Sequence, residues 1–172
     1  MTIPTTPTVS TTPETAIPTL AEFEDAAAAL RPVILQTPFD ESEYLSDVLG
    51  APVHLKLENL QRTGSFKIRG ATYRLSRLSA EERARGVVAA SAGNHAQGVA
   101  AAAALLHMPA VIVMPRDAPA SKLARTAALG AEIVLYDRAR EDREAIAREI
   151  AAQRRAEIVP PYDDPMIIAG QG

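Results

Sequence analysis

The sequence predicts an α/β protein, a parallel sheet with helices flanking it. Three observations carry this. The chain of 172 residues, 47% of them hydrophobic, is long enough to bury a core as one domain or as pieces of two. From Gly86 onward, short apolar runs alternate with segments of helix length. No internal repeat is visible, so the alternation reads as successive right-handed βαβ units.

The elements follow in order. Residues 1–18, MTIPTTPTVSTTPETAIP, are rich in Thr and Pro and carry one charge, Glu14. Such a segment buries too little apolar surface to offset its ordering entropy, so a disordered leader is expected. Its lack of arginine argues against a transit peptide. Thr19 and Glu22 have capping-box spacing ahead of LAEFEDAAAAL, and Pro32 stops that helix. EYLSDVLG reads as a short helix ended by Gly50, and PVHLKLEN alternates as a strand does. Ser65 then caps a helix running to about Leu78. Beyond it, GVVAAS, PAVIVMP, AEIVLY and EIVPP are the strands. HAQGVAAAAALLHM, ASKLARTAALG and EDREAIAREIAAQRRA are the helices between them. DDPMIIAGQG looks like a helix just beginning, so the chain is expected to be truncated, part of a longer protein.

Composition excludes several functions. A formal net charge of −3, with no basic run, gives no footprint for nucleic acid or for a membrane surface. The most apolar stretch, residues 99–106, is far too short to span a bilayer. Cysteine is absent, which removes disulfides and thiolate metal sites, and no secretory pattern is visible; a cytoplasmic protein is expected. No metal site is expected, because no histidine or carboxylate cluster has ligand spacing. His54, His95 and His107 are scattered, and His107 suits the C-terminal end of a helix dipole. Residues 141–149 mix acids with arginines and read as a solvated, salt-bridged face.

Two stretches can carry chemistry. In AASAGNHAQGVA, residues 89–100, a strand passes through a turn of small residues into a helix. Gly93 lets the backbone approach a ligand, and the first helical N–H groups lack intrahelical partners, which makes an anion site. An ordinary βα turn, with Asn94 as a cap and His95 solvated, reads equally well. Gly93 and Gly98 have P-loop spacing, but Val99 stands where that motif has lysine, and no G-x-G-x-x-G occurs.

The second stretch is RTGSFKIRGA, residues 62–71. Of 18 basic residues 15 are arginine; the lysines are Lys56, Lys67 and Lys122. Lys56 falls on the polar face of its strand, and Lys122 on the solvated first turn of a helix. Lys67 sits between Phe66 and Ile68 at a helix N-terminus, where burial and the dipole both disfavour its charged form. A nucleophilic amine and a snorkelling surface lysine are both open on these grounds.

LKLENLQRTGSFKIRGA, SAGNHAQGVA and PPYDDPMIIAGQG together resemble the threonine deaminase and serine racemase group of pyridoxal-phosphate enzymes, from residue 20 to residue 172. The resemblance implies a tryptophan-synthase-β-like fold. Residues 19–83 would belong to a large domain, 84–157 would form a small one, and 158–172 would begin the return. It implies that Lys67 carries pyridoxal 5'-phosphate as an imine, that Phe66 packs beside the cofactor ring, and that Asn94 bonds its 3-hydroxyl. Ser91, Ala92, Gly93, Asn94 and His95 would hold the carboxylate of a small amino-acid substrate. Threonine synthases have aspartate after the lysine, where this chain has Ile68. Racemases have a serine base where this chain has Ala92, whose methyl group transfers no proton. The implied activity is deamination of L-threonine or L-serine to a 2-oxo acid and ammonia, in a homo-oligomer. A racemase and a ligand-binding domain without catalysis are the alternatives. In several relatives a nucleotide effector binds at positions matching Arg62, Thr63 and Gln97. The family's glycine-rich phosphate loop and any metal ligands are expected after residue 172. Residues 20–83 are accordingly expected to lack their main packing partner.

Overall fold

A computed structural model of the protein describes residues 17–172; the expected leader lies, up to residue 16, outside the described residues. Helix α1 (Leu20–Leu30) opens on the Thr19/Glu22 pair: the Glu22 carboxylate accepts from the Thr19 backbone at 2.7 Å and from its hydroxyl at 2.8 Å. Strand β1 (Phe39–Glu41), helix α2 (Glu43–Leu49) and strand β2 (His54–Lys56) follow. β1 and β2 pair antiparallel, Phe39 opposite Lys56, and all six residues are exposed. β1 was not apparent in the sequence: three exposed residues supply no alternation to read. A single 3-10 turn (Glu58–Leu60) leads to α3 (Lys67–Ser76). The next helix, α4 (Ala80–Arg85), is short and begins with its own capping box, Ser79 with Glu82.

The rest is the expected alternation: β3 (Val87–Ala90), α5 (Asn94–Leu105), β4 (Ala110–Pro115), α6 (Ala120–Ala128), β5 (Glu132–Tyr136), α7 (Arg143–Arg154), β6 (Glu157–Ile158) and α8 (Pro165–Gln171). Strands β3 to β6 form one parallel sheet in the order β5-β4-β3-β6. The chain steps outward from β3 to β5, then crosses back to lay β6 on the other side of β3. The crossing changes the face that is covered. Val87 and Ala89 of β3 pack with Val99, Ala102 and Ala103 of α5, whereas Val88 packs with Ala147 and Ala151 of α7. This is the period of two expected of a strand buried on both faces.

Helix α5 is buried at every position from His95 to Ala103 because it is covered twice, by the sheet below and by α3 above. Ala71, Leu75 and Leu78, in and just after α3, belong to the same apolar cluster as the sheet, the two leucines contributing about 1.5–3 kcal/mol each. Helix α8 crosses α3 closely, since a Cβ at Gly170 would stand 2.8 Å from the Gly70 Cα. Within residues 20–83, α3 rides on α5 and α8, and α1 packs against α3 and α8, so neither helix is without a partner. Among the described residues no helix is long and apolar enough to cross a membrane.

Candidate active site

The turn after β3 is fastened at both ends. The Ser91 N–H donates to the Val113 carbonyl of β4 at 3.1 Å, and the Ser91 hydroxyl accepts from the Gly93 N–H at 3.2 Å. Helix α5 begins at Asn94 and runs for 12 residues, leaving its first N–H groups without partners in a preceding turn. A Cβ built on Gly93 would meet nothing within 4 Å, so the space over the turn is open to a ligand. Asn94 is exposed, and Ser91, Ala92 and Gly93 are half-buried. His95 is not solvated. It is 4% exposed, and its Nε2 lies 3.0 Å from the Val159 carbonyl. A carbonyl only accepts, so Nε2 carries the proton. Burial holds the imidazole below its ordinary pKa, opposed by the bond to Val159 and aided by the nearby Lys67 charge.

Lys67 is the first residue of α3, and its own N–H donates to Ser65 Oγ at 3.4 Å. Its side chain is half-buried. Nζ donates to the Pro161 carbonyl at 2.5 Å and lies 5.0 Å from the centre of the Phe66 ring. Burial holds its amine below the usual lysine range. Lys56 is exposed and donates to the Thr37 carbonyl at 2.6 Å, and Lys122 lies half-buried on the first turn of α6. The three lysines are thus unequal: Lys67 alone among them faces the residues that follow β3 and β6.

Those residues occupy a favoured place. β3 and β6 are neighbours, and the helix that leaves β3 and the helix that enters β6, α5 and α7, cover opposite faces of the sheet; in open parallel sheets ligands bind outside the carboxyl ends of strands at such a reversal. Residues 159–161, which follow β6, carry the acceptors of both His95 and Lys67. They were missed in the sequence. Beside them is a cavity of about 320 Å³, whose lining includes Ala90, Arg143, Arg148, Pro161 and Tyr162. Both arginines are only loosely paired, Arg143 with Glu144 at 3.7 Å and Arg148 with Asp142 at 3.9 Å. Such long exposed pairs are worth little, and Glu144 and Asp163 line the cavity beside the two arginines.

The three positions matched to a nucleotide effector do not form an exposed patch. Arg62 is exposed, but its Nε donates to the Val33 carbonyl at 2.6 Å. Thr63 Oγ1 is buried without a partner, and Gln97 is buried on α5. Among the described residues no cluster of His, Asp or Glu could hold a metal ion.

The partly desolvated Lys67 amine and the open backbone turn before α5 thus belong to two helices, α3 and α5, that pack closely against each other. Residues 30–172 match the family of pyridoxal-phosphate dependent enzymes, and the chain belongs to that family. An L-threo-3-hydroxyaspartate ammonia-lyase of Pseudomonas is 54% identical to it, over 89% of this chain and 49% of that protein. An L-threonine ammonia-lyase of Thermotoga maritima is 50% identical, over 90% of this chain and 38% of that protein. Maize serine racemase superposes with a TM-score of 0.82 at 35% identity, over 88% of this chain and 46% of its own. The chain thus spans less than half the length of these relatives. The family's cofactor is pyridoxal 5'-phosphate, and the donor set fits it: a half-buried amine on a carbonyl, an aromatic ring beside it and an exposed amide at Asn94.

Proposed function

We propose that this chain supplies the reactive lysine and the carboxylate loop of an ammonia-lyase that converts L-threonine or L-serine to 2-oxobutanoate or pyruvate and ammonia. The observation that carries this reading is the half-buried Lys67 amine, whose Nζ donates to the Pro161 carbonyl just after β6. When bound, pyridoxal 5'-phosphate supplies a carbonyl that captures amines and a ring that accepts an electron pair. Lys67 would hold it covalently, Phe66 would flank its ring, and Asn94 would donate to its hydroxyl. The Ser91 to His95 turn and the α5 N-terminus would receive the substrate carboxylate, fixing the α-carbon near Lys67. The neutral Lys67 amine would take the α-proton, and burial, which holds its pKa below the usual lysine range, favours that form more than in an exposed lysine. The β-hydroxyl then departs as water, and hydrolysis of the resulting enamine gives the 2-oxo acid and ammonia. Ala92 offers no proton on the opposite side, which favours elimination over racemisation.

A second reading, L-threo-3-hydroxyaspartate as substrate, is favoured by the cavity that Arg143 and Arg148 share with Pro161. A β-carboxylate needs a cation, and threonine and serine do not. Adding cofactor, recording the visible spectrum and trapping with borohydride tests the common core. An adduct on Lys67 supports an enzyme, and an unchanged spectrum supports a binding domain without catalysis. Rates of 2-oxo acid release from the three amino acids, with and without Arg143→Met, then separate the substrates. A loss confined to hydroxyaspartate supports the second reading.

A further inference from the structure

The residues after β6 have an unusual supply of hydrogen bonds. The Val159 N–H still completes the sheet, donating to the Val88 carbonyl at 2.9 Å. Pro160 and Pro161 have no N–H, so the ladder to β3 cannot continue beyond that bond. From there the strap of residues 159–161 is held through its carbonyls. His95 Nε2 takes the Val159 carbonyl at 3.0 Å, and Lys67 Nζ takes the Pro161 carbonyl at 2.5 Å. The two anchors differ in permanence. His95 is 4% exposed on a helix clamped between the sheet and α3, and has no freedom to leave. Lys67 is half-buried at the opening and, on the function proposed above, must leave Pro161 to do chemistry.

We infer that His95 is a positioning residue: it holds the strap through Val159, and this anchor becomes decisive whenever the Lys67 amine has left Pro161. The strap lines one wall of the arginine-bearing cavity as well as the lysine station. If it drifted while Lys67 was engaged, both walls of the site would move. With His95 in place the lysine returns to the carbonyl it left.

The inference rests on the reading that Lys67 departs, but its test needs neither cofactor nor turnover. Lys67→Ala reproduces the departure, and exchange of the Val159 amide in the full chain reports on the strap. His95→Leu in the Lys67 background is expected to speed that exchange about fivefold, the worth of one neutral hydrogen bond. In the Lys67→Ala background the same change should speed it by about tenfold more than the two single effects multiplied. His95→Gln, which keeps a donor at the Nε2 position, should restore the slow rate in both backgrounds. Should His95→Leu fail to fold, His95→Asn, whose amide is too short for Val159, takes its place. Effects that simply multiply, or no rescue by Gln, would overturn the inference and leave His95 as an ordinary core residue. A chain that forms no cofactor adduct on Lys67, yet shows the excess acceleration, would keep the strap and discard the enzyme.

Discussion

The backbone of Lys67 lies directly against Gly98: a Cβ at Gly98 would stand 2.9 Å from the Lys67 carbonyl carbon and 3.0 Å from its oxygen. The contact is backbone, not the end of a flexible side chain, so a methyl group there must push α5 and the start of α3 apart. Gly98→Ala is expected to destabilise the protein by about 1–3 kcal/mol, as overpacking does. It should also reduce cofactor adduct formation on Lys67 in the folded fraction. Denaturant titration and borohydride trapping measure the two effects. Full stability with normal trapping would show that the helices separate freely.

Lys67→Ala is expected to abolish the borohydride-trapped adduct on the peptide containing residue 67 and to abolish 2-oxo acid release. Lys67→Arg should do the same, because a guanidinium keeps the charge but not the nucleophile. Peptide mapping checks this. A trapped adduct of equal yield on Lys56 or Lys122 would identify the wrong lysine.

What the sequence disclosed follows the distance over which each feature is specified. The α1 cap is written in Thr19 and Glu22, three residues apart, and it forms as read. The turn before α5 is likewise local, and the helix begins at Asn94, one residue ahead of the start read from the sequence. The strap was invisible because its bonds join residues 64 and 94 positions apart. The solvated reading of His95 fails for the same reason: its neighbours in sequence carry no sign of β6, whose following Val159 carbonyl it meets. Helix α4 is a different omission, since Ser79 and Glu82 carry the capping-box spacing that the sequence offered.

Ala92→Ser is expected to place a hydroxyl on the side of the site opposite Lys67. In the enzyme that carries this segment, it should add measurable racemisation of serine to deamination. Chiral chromatography of the recovered serine is the measurement. Absence of D-serine, with deamination intact, would mean that a hydroxyl at position 92 does not reach the α-carbon.

Acid should weaken the fold through His95. Its pKa in the folded protein lies below the ordinary imidazole value, so the unfolded chain binds the proton first as pH falls. The stability from burying the neutral ring is complete above pH ~6.5 and is lost as pH drops from there through the folded-state value. Glu22, Asp25 and Asp142, held below the ordinary carboxylate range, respond at lower pH and are shared by the variant. The difference between wild type and His95→Gln therefore isolates the imidazole. Denaturation midpoints at about pH 7.5 and about 5.5 should fall more for wild type than for the variant. Equal losses would place the ring in water.

Hydrogen exchange across the first half of the chain decides how it is divided. An assignment of residues 19–83 to one unit and 84–157 to another would have α3 exchange together with β1 and β2. The packing argues otherwise. β1 and β2 form an exposed ladder of three residues a side, whereas Ile68, Ala71 and Leu75 of α3 are as buried as the centre of β4. Amides in weakly packed elements open at little cost, and those of the core wait for global unfolding, which costs about 5–15 kcal/mol. The Leu55 amide is therefore expected to exchange quickly, and those of Tyr73 and Leu75 at the slow rate of Ile112 and Val113. Fast exchange throughout α3 would show that it opens with β1 and β2. The wall of α5 against which Lys67 rests would then be exposed in that opening, and the lysine would lose its fixed place opposite Pro161.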